Sequence, residues 1–518
     1  MPDETYIYEP SERPFLPGGP HTPRHSPLRR AGYVGSAIIC GIGASLGNAL
    51  VSVNTAAMAG AYQVDAANSG WLIAAYVTPA VCANLFLVRA RQEFGILPVS
   101  QSLLIAYVLA TVLQCLMPSF GMAILTRIVC GLGSSGLLSL TVYNLLQVFP
   151  PENRPVGLVL GFGIPQLGIP LARLIPVDIL TYGAGRGLSV LELAVGLIAL
   201  VAVTLHPIPP TIIRKAIKPL DFITFALFAP ATTLFCCVLA EGRLLWWGDT
   251  PWIGWALVAA IPLAFAAICI EAYRPTPLLN LKWLTAGDSI RFGVVALVIR
   301  SALAEQTFGA VGLLSAGNLT NEQLTWLFAC VLAAMIAGSA LSVFLLHPKA
   351  LPIAVCAAAL LIMAGALMDS QSNNLTRPSQ LFLSQSLIGF GAALFVGPAL
   401  IFGFRRMVQH GPEAFISFLV LFGITQNIGA LLGASALGSY QVIRARAHWL
   451  DLSSRLIAGD PQVASRTNLP AILTRESNIS AFNDVFLVVA AVAALAALFM
   501  VGRIFQQWYQ ARPREATT

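Results

Sequence analysis

The feature that most constrains this chain is a succession of long apolar windows, each long enough to cross a lipid bilayer. A hydrocarbon core about 30 Å thick needs about 20 mostly apolar helical residues. About fourteen such windows follow one another along the chain, joined by short segments rich in Pro, Gly and Asn. Only 10% of the residues are charged and 57% are hydrophobic. The pattern predicts an all-α membrane protein and excludes an ordinary soluble domain.

The basic residues of the short connections predict the orientation in the membrane. Placing the amino terminus in the cytoplasm puts Arg89, Arg91 and Arg154 inside, with most other Lys and Arg residues of the short connections, and few outside. We therefore expect a multi-pass protein of the inner (plasma) membrane with both termini in the cytoplasm.

What the chain lacks narrows its class. It has no Walker A loop, Rossmann fingerprint, nucleophile elbow or paired histidine ligands, so neither an enzyme nor a metal or other cofactor is expected. The net charge of +7 is scattered over connections, which argues against nucleic acid as a partner. The nine cysteines lie in apolar stretches and are expected to be small buried hydrophobes. A polytopic helical bundle without catalytic signatures is typical of a secondary transporter.

A few charged residues fall inside the apolar windows, where each costs about 2.5 to 3.5 kcal/mol. Four are candidates for proton coupling: Glu305, Arg127, Arg173 and Glu192. Glu305 is the leading acid, because a buried carboxyl can bind and release a proton. The arginines could equally contact an anionic substrate or donate to backbone carbonyls. Glu192 lies nearer an end of its span, from which it could simply reach the membrane interface.

Uncharged polar and small residues inside the windows suggest a cavity and close packing. The candidates for lining a substrate cavity are Asn48, Asn54, Asn84, Gln166, Gln385, Gln426 and Asn427. Such residues also join helices by hydrogen bonds. Gly131, Gly429 and Gly433 predict close helix approach. Three prolines in the fifth window, Pro165, Pro170 and Pro176, predict a kinked helix.

The fourth window contains Arg127-Ile-Val-Cys-Gly131-Leu-Gly133. The segment resembles the Arg-x-x-x-Gly-x-Gly signature of the major facilitator superfamily, in particular of drug:proton antiporters with fourteen spans of the EmrB type. The resemblance implies that Arg127 takes part in proton coupling.

The segment from Arg89 to Gly95 resembles the loop between spans two and three that gates the cytoplasmic side, with Arg89, Arg91 and Gly95 as gate residues. Pro165-Gln-Leu-Gly168 sits where the antiporter signature belongs.

The chain departs from that family in three places. The first span and the gating loop lack the usual aspartates, and Arg173 replaces a glycine of the antiporter signature. If transport is proton-coupled, Glu305 or Glu192 would then have to supply the titrating group.

The polar segment 439–480 resembles the outer loop of Gram-negative relatives that work with a periplasmic adaptor protein and an outer-membrane channel. Ile443, Ala447, Leu450 and Leu456 fall near one face of a helix that continues out of span thirteen, and are candidates for adaptor docking. The same stripe could instead fold back on the transporter. His448 is expected to form hydrogen bonds and not to bind a metal.

The resemblance implies two six-helix bundles plus two extra helices. The expected organisation is a disordered cytoplasmic tail (1–30), an N-terminal bundle (31–205), two linker helices with connecting loops (206–288), a C-terminal bundle including the periplasmic loop (289–505), and a cytoplasmic tail (506–518). The expected function is proton-coupled efflux of amphipathic or aromatic compounds. The expected partners are small organic substrates, protons and the lipid bilayer. The alternatives are import or facilitated passage of a metabolite such as an organic acid, and a membrane sensor that does not transport.

Overall fold

The structure is a computed structural model, and its described residues confirm the all-α prediction. They are Glu9, 12–14, 19–275, 277–409, 414–456 and 468–511. Among them, the extended backbone pairs only at one isolated bridge, between Pro20 and Thr211. The helices are α1 (Pro27–Val53), α2 (Thr55–Tyr62), α3 (Ala66–Phe94), α4 (Ile96–Leu116), α5 (Phe120–Val148), α6 (Arg154–Gly163), α7 (Gly168–Arg173), α8 (Val177–Leu205), α9 (Pro219–Glu241), α10 (Pro251–Tyr273), α11 (Leu281–Leu284), α12 (Gly287–Ala302), α13 (Glu305–Ala316), α14 (Thr325–Phe344), α15 (Leu351–Asp369), α16 (Phe382–Gln409), α17 (Ala414–Ser454) and α18 (Leu469–Ala511).

The predicted number of membrane spans is confirmed. Fourteen helical segments within the described residues are long and apolar enough to cross a bilayer. Two of the spans contain a break. The fifth runs through α6, a 3₁₀ turn at Ile164–Leu167 and α7, as Pro165 and Pro170 predicted, whereas Pro176 lies beyond this span and precedes α8. The ninth is interrupted between α12 and α13, at Leu303 and Ala304, where neither proline nor glycine is present and no break was predicted.

The chain divides into two compact units. Unit 1 comprises Met1–Val294 and Leu400–Ile428, and unit 2 comprises Val295–Ala399 and Gly429–Thr518. In unit 1, α5 packs on α1, α3 and α4, and α9 packs on α3 and α10. In unit 2, α18 packs on α13 and α15. The finer division into two six-helix bundles and two linker helices stays a prediction.

The predicted gating loop is helical, which corrects the sequence interpretation. The segment from Arg89 to Gly95 was expected to be a loop between spans two and three, but α3 continues through Arg89 and Arg91 to Phe94. The residues beyond the apolar window are good helix formers, and the helix ends only at Gly95, whose φ of 88° suits a residue without a side chain. The two gate arginines therefore lie on a rigid helix end.

The predicted outer loop 439–480 is also largely helical. Helix α17 has 41 residues and α18 has 43, so each is about 60 Å long, twice the thickness of the hydrocarbon core. Residues 457–467, between them, lie outside the described residues, as does the predicted carboxyl-terminal tail beyond Ala511.

The amino-terminal segment differs from the expected disordered tail where the structure describes it. His25 Nε2 lies 2.9 Å from Gln147 Oε1, and Gln147 Nε2 donates to the His21 carbonyl at 3.0 Å. Arg154 donates to the Thr22 hydroxyl. Burial lowers the pKa of His25, which favours its neutral form. The tail residues just before α1 are therefore ordered by contacts with unit 1; residues 1–8 lie outside the described part.

Candidate functional site

Two buried carboxyl groups face one amide in unit 2. Glu305 begins α13, Asp369 ends α15, and Gln385 lies in the first turn of α16. Gln385 Nε2 donates to Glu305 Oε1 at 2.9 Å and to Asp369 Oδ2 at 2.6 Å. Both acids are 0% exposed and Gln385 is 1% exposed. A second amide fixes this helix turn, because Gln306 Nε2 donates to the Gln385 carbonyl at 3.2 Å. We call Glu305, Asp369 and Gln385 the carboxyl site.

The two acids of the carboxyl site have no balancing cation among the described residues. No described Lys, Arg or His forms an ion pair with Glu305 or Asp369. One oxygen of each acid, Glu305 Oε2 and Asp369 Oδ1, is buried without a hydrogen-bond partner in the described part of the chain. Two unpaired carboxylates at this depth are costly, and a proton on either one would remove a charge and supply a donor. The site is therefore chemically suited to hold a proton.

Arg127 and Glu192, two predicted proton-coupling residues, form one ion pair in unit 1. An Nη2 atom of Arg127 on α5 pairs with Glu192 Oε1 on α8, and Nη1 donates to the Gly47 carbonyl on α1 at 2.9 Å. Each side chain is 3% exposed. The guanidinium also lies over the Tyr76 ring, 5.5 Å from its centroid. The expectation that Glu192 could simply reach the membrane interface is wrong, because α8 turns it into the helix packing.

The ion pair depends on a glycine in the facing helix. A Cβ atom built at Gly47 would lie 2.7 Å from Glu192 Oε1, so a larger residue would displace the carboxylate. Arg173, the remaining predicted arginine, is 7% exposed at the end of α7 in the same unit.

The predicted cavity residues separate into different environments. Gln166 Nε2 donates to Gln426 Oε1 at 3.4 Å, which joins the broken fifth span to α17 within unit 1. Asn84 lies on the neighbouring α3, where its Nδ2 would be 3.2 Å from a Cβ atom at Gly423. Gln385 instead belongs to the carboxyl site.

The other amides serve their own helices. Nδ2 atoms of Asn54, Asn84 and Asn427 each donate to a backbone carbonyl four residues earlier, at 3.0, 3.1 and 3.0 Å. Asn48 is half-buried. A shared substrate cavity for all seven residues stays a prediction.

The gate residues at the end of α3 are firmly bound. Arg89 Nη1 donates to the Ala216 carbonyl at 2.9 Å and Nη2 to the Pro277 carbonyl at 3.3 Å. Arg91 is 4% exposed. Gly95 ends the helix, and Arg89 is hydrogen-bonded to the chain on either side of the α9–α10 hairpin.

The adaptor candidates lie on an exposed helix surface, except for one residue. Ile443, Ala447 and Leu450 lie on α17, the helix expected to continue out of span thirteen, and all three are exposed. Leu456 lies beyond Ser454, where α17 ends, so its expected place on the helix is wrong. His448 forms a hydrogen bond, as predicted: its Nε2 lies 2.7 Å from Asp484 Oδ2 on α18.

Sequence reasoning missed Asp369 and a buried ion cluster formed by Asp221, Glu271 and Arg274. All four residues lie at or next to the ends of apolar windows, where charge is normal. Asp221 and Glu271 are 0% and 2% exposed. The sequence feature that could have indicated these buried residues is a charge just inside the end of a predicted helix. No group of three or more His, Cys, Asp or Glu that could hold a metal occurs among the described residues.

Known proteins with similar sequences are transporters, although no protein-family model matches the chain. The MFS-type transporter calB of Penicillium decumbens is 34% identical over 143 residues, which is 26% of this chain and 25% of calB. The similarity thus spans only a quarter of that relative. A triacylglyceride transporter of Mycolicibacterium smegmatis is 26% identical over 461 residues, covering 82% of this chain and 78% of the relative.

The fold is similar to that of a solved transporter. The structure of the major facilitator superfamily proton:xylose symporter XylE covers 93% of this chain and 97% of its own, with a TM-score of 0.52 and 14% identity. The chain is thus a multi-pass helical membrane protein with the major facilitator fold. Its relatives, which are named as transporters, and its fold together support the major facilitator superfamily.

Proposed function

We propose that the protein is a proton-coupled secondary transporter that exports amphipathic or aromatic organic compounds, drugs among them, across the plasma (inner) membrane. The observation that carries this proposal is the carboxyl site. Two fully buried acids share one amide donor, and no described cation balances them. Such a site favours binding of a proton, and release of that proton requires a state in which water or a cation reaches the acids.

Proton binding would drive transport by biasing two conformations. A proton on Glu305 or Asp369 lowers the cost of burying the site and therefore favours the conformation described here. Deprotonation favours a conformation in which the acids are hydrated. A ligand drives such a change only to the extent that its affinity differs between the two states.

The position of the carboxyl site also supports a coupling role. Glu305 is the first residue after the break in the ninth span, and discontinuous helices provide ion sites in many secondary transporters. Arg127, by contrast, already has its charge neutralised by Glu192. We assign proton carriage to Glu305 with Asp369, and assign to Arg127, Glu192 and Arg173 the fixing of helices in unit 1.

The substrate class is supported by the relatives. A relative with similarity over most of its length is named as a triacylglyceride transporter, which favours apolar or amphipathic substrates over sugars or ions. The direction of transport rests on the resemblance to drug:proton antiporters. Organic-acid import or facilitation, and a sensor that does not transport, are the competing functions, and they predict opposite or absent substrate movement.

The orientation and outer partners complete the proposal. The basic connections favour an orientation with both termini in the cytoplasm, in which Arg89, Arg91 and Gly95 would form a cytoplasmic gate. The exposed residues Ile443, Ala447 and Leu450 would then lie outside, available to a periplasmic adaptor that leads to an outer-membrane channel. Replacing Ile443 and Leu450 by Ser should leave transport in vesicles intact but lower cellular resistance; unchanged resistance would remove the adaptor from the proposal.

The central experiment measures proton movement in energised everted vesicles. A panel of amphipathic drugs, aromatic acids and fatty acids is added to vesicles with the unaltered protein, Glu305→Gln or Asp369→Asn. A substrate should release protons with the unaltered protein, and each variant should abolish that release. Glu322→Gln, which changes an exposed acid in the same unit, is the matched control and should behave as the unaltered protein.

Each other outcome has a definite meaning. Full proton coupling in both Glu305→Gln and Asp369→Asn would refute the role of the carboxyl site. Substrate accumulation in intact cells would replace export by import. Absence of any response, with protein insertion confirmed, would favour the sensor.

A further inference from the structure

The α9–α10 hairpin carries a buried ion cluster at the end where its two helices begin and finish. Arg274 pairs with Asp221 through Nη2 and with Glu271 Oε1 through Nη1, at 2.9 Å in the second case. The three side chains are at most 1% exposed. One cation thus lies between two carboxylates, and burial without such partners would be unfavourable. Hydrogen bonds and charges from Asp221 and Glu271 raise the pKa of Arg274, although burial alone would lower it.

Backbone amides bind the remaining oxygens of the cluster. The N–H of Lys218 donates to Asp221 Oδ2 at 2.8 Å. The N–H groups of Leu278 and Leu279 donate to Glu271 Oε2 at 2.5 and 3.2 Å. The cluster therefore binds one residue, Lys218, of the segment that enters the hairpin (214–218) and two residues, Leu278 and Leu279, of the segment that leaves it (277–280).

The end of α3 binds the same two segments from the opposite side. Arg89 donates to the carbonyls of Ala216 and Pro277, one in each segment. Glu93 Oε2 accepts from the N–H groups of Ala216 and Ile217 at 3.1 and 2.7 Å. The contacts close a ring that runs from Arg89 through the first segment, the ion cluster and the second segment back to Arg89.

The second segment also contacts the beginning of α17 within unit 1. The N–H of Asn280 donates to Ser417 Oγ at 2.6 Å, and Leu278 packs in a core cluster with Val420 and Leu85. Movement of the Arg89 end of α3 away from the hairpin would break hydrogen bonds to both segments at once.

We propose that Asp221, Glu271 and Arg274 are positioning residues for transport, which hold the Arg89 end of α3 and the α9–α10 hairpin together so that the two move as one body. The hairpin would then move with the gate residues during transport and would not only pack beside the other helices. The inference rests on the proposed transport function for its meaning, but the ring itself is tested without substrate or proton gradient.

The test is hydrogen exchange, followed by mass spectrometry, of the full-length protein in lipid nanodiscs. Arg274→Gln should raise exchange several-fold in peptides that cover 214–221 and 275–281, and also in the peptide that covers 89–95 on the other side of the ring. Arg377→Gln, which changes an exposed loop arginine in unit 2, should leave all three at the unaltered level. Faster exchange confined to 214–221 and 275–281 would overturn the proposal.

A second variant keeps the test decisive if Arg274→Gln does not fold. Arg89→Gln opens the ring from the other side and leaves the ion cluster in place. It should raise exchange at Ala216, Ile217, Leu278 and Leu279, and unchanged exchange there would also overturn the proposal. Arg274→Lys keeps the charge but lacks the planar fork that reaches two carboxylates, so it should restore exchange only in part; no restoration at all would contradict a role for the charge.

Transport kinetics separate positioning from simple loss of folded protein. Per folded molecule, Arg274→Gln should lower kcat several-fold with KM unchanged, because the gate and not the substrate contacts is altered. An unchanged kcat would refute the role in transport. The exchange result stands even if Glu305→Gln retains proton coupling, so the two proposals can fail separately.

Discussion

The Arg127–Glu192 pair of unit 1 and the carboxyl site of unit 2 both bury acids in membrane spans, but the charge is treated in opposite ways at these two sites. In unit 1, Glu192 pairs with Arg127, and the guanidinium also donates to a backbone carbonyl. In unit 2, Glu305 and Asp369 share a neutral amide and no described cation pairs with them. A balanced charge fixes helices permanently, whereas an unbalanced one leaves a proton to be gained or lost. The contrast distinguishes a charge that only stabilises helix packing from a charge that could bind and release a proton.

Replacing Arg127, the cation of the buried pair in unit 1, should have the largest effect on stability. Arg127→Met leaves Glu192 buried without its partner, and breaking a buried pair in this way costs about 3 to 5 kcal/mol. We expect a corresponding fall in the melting temperature of the protein in detergent. The measurement is thermal unfolding followed by fluorescence, without a dye that reacts with thiols. The double variant Arg127→Met with Glu192→Met should recover most of the loss. If the single variant melts like the unaltered protein, the pair is not the structural element described here.

Neutralising one acid in each unit should lower the stability of the protein only in unit 1. Glu192→Gln removes the partner of Arg127 and should destabilise by roughly 2 to 3 kcal/mol, toward the lower range for such pairs because the Gly47 carbonyl still accepts from the arginine. Glu305→Gln removes an unbalanced charge and should leave stability unchanged or raise it, while proton coupling is lost. The measurement is melting of both variants at neutral pH. Equal destabilisation would contradict the contrast between the units.

Replacing a glycine at a close helix contact should destabilise both units to a similar extent. Such a result would distinguish the effect of helix packing from that of charge. A Cβ atom at Gly131 would lie 2.3 Å from the Tyr76 carbonyl oxygen, and one at Gly433 would lie 2.2 Å from that of Ser301. Each change to Ala should therefore cost about 1 to 3 kcal/mol through forced separation of the helices.

The matched control is Gly254→Ala, because a Cβ atom there meets nothing within 4 Å. It should be neutral or slightly stabilising in the same melting assay. Tolerance of alanine at both Gly131 and Gly433 would show that the helices separate without cost.

The smallest effect is expected where charges meet water. Asp484 is 21% exposed and accepts from Arg444 at 2.6 Å and from His448. Partly solvated pairs contribute about 1 kcal/mol or less to stability. Asp484→Asn should therefore lower the free energy of unfolding by no more than that amount. A larger loss would place this cluster with the buried pair of unit 1.

The sequence sufficed for the architecture because hydropathy alone determines which windows cross a membrane. It also located Arg127, Glu192 and Glu305, since a charge in the middle of an apolar window is conspicuous. It could not pair them, because partners lie on helices far apart in the chain. Asp369 and Arg274 escaped notice because residues at window ends are commonly charged, and burial there depends on how neighbouring helices pack.

Helix ends and breaks were the other limit. Nothing in the hydropathy distinguishes Arg89 in a loop from Arg89 on the last turns of α3, and only Gly95 shows where the helix stops. The interruption at Leu303 and Ala304 has no proline or glycine to announce it.

The orientation of Gln385 bears on which ion the carboxyl site accepts. A sodium ion is bound by several oxygen atoms, whereas the amide of Gln385 turns its nitrogen toward both Glu305 and Asp369. A donor between two acceptors competes with a metal ion for the same oxygens, but leaves the outer oxygen of each acid open to hydrogen. If the carboxyl site couples transport as proposed, this geometry favours hydrogen ions over alkali metals. We then expect transport to follow acidity and to be unaffected by the sodium gradient.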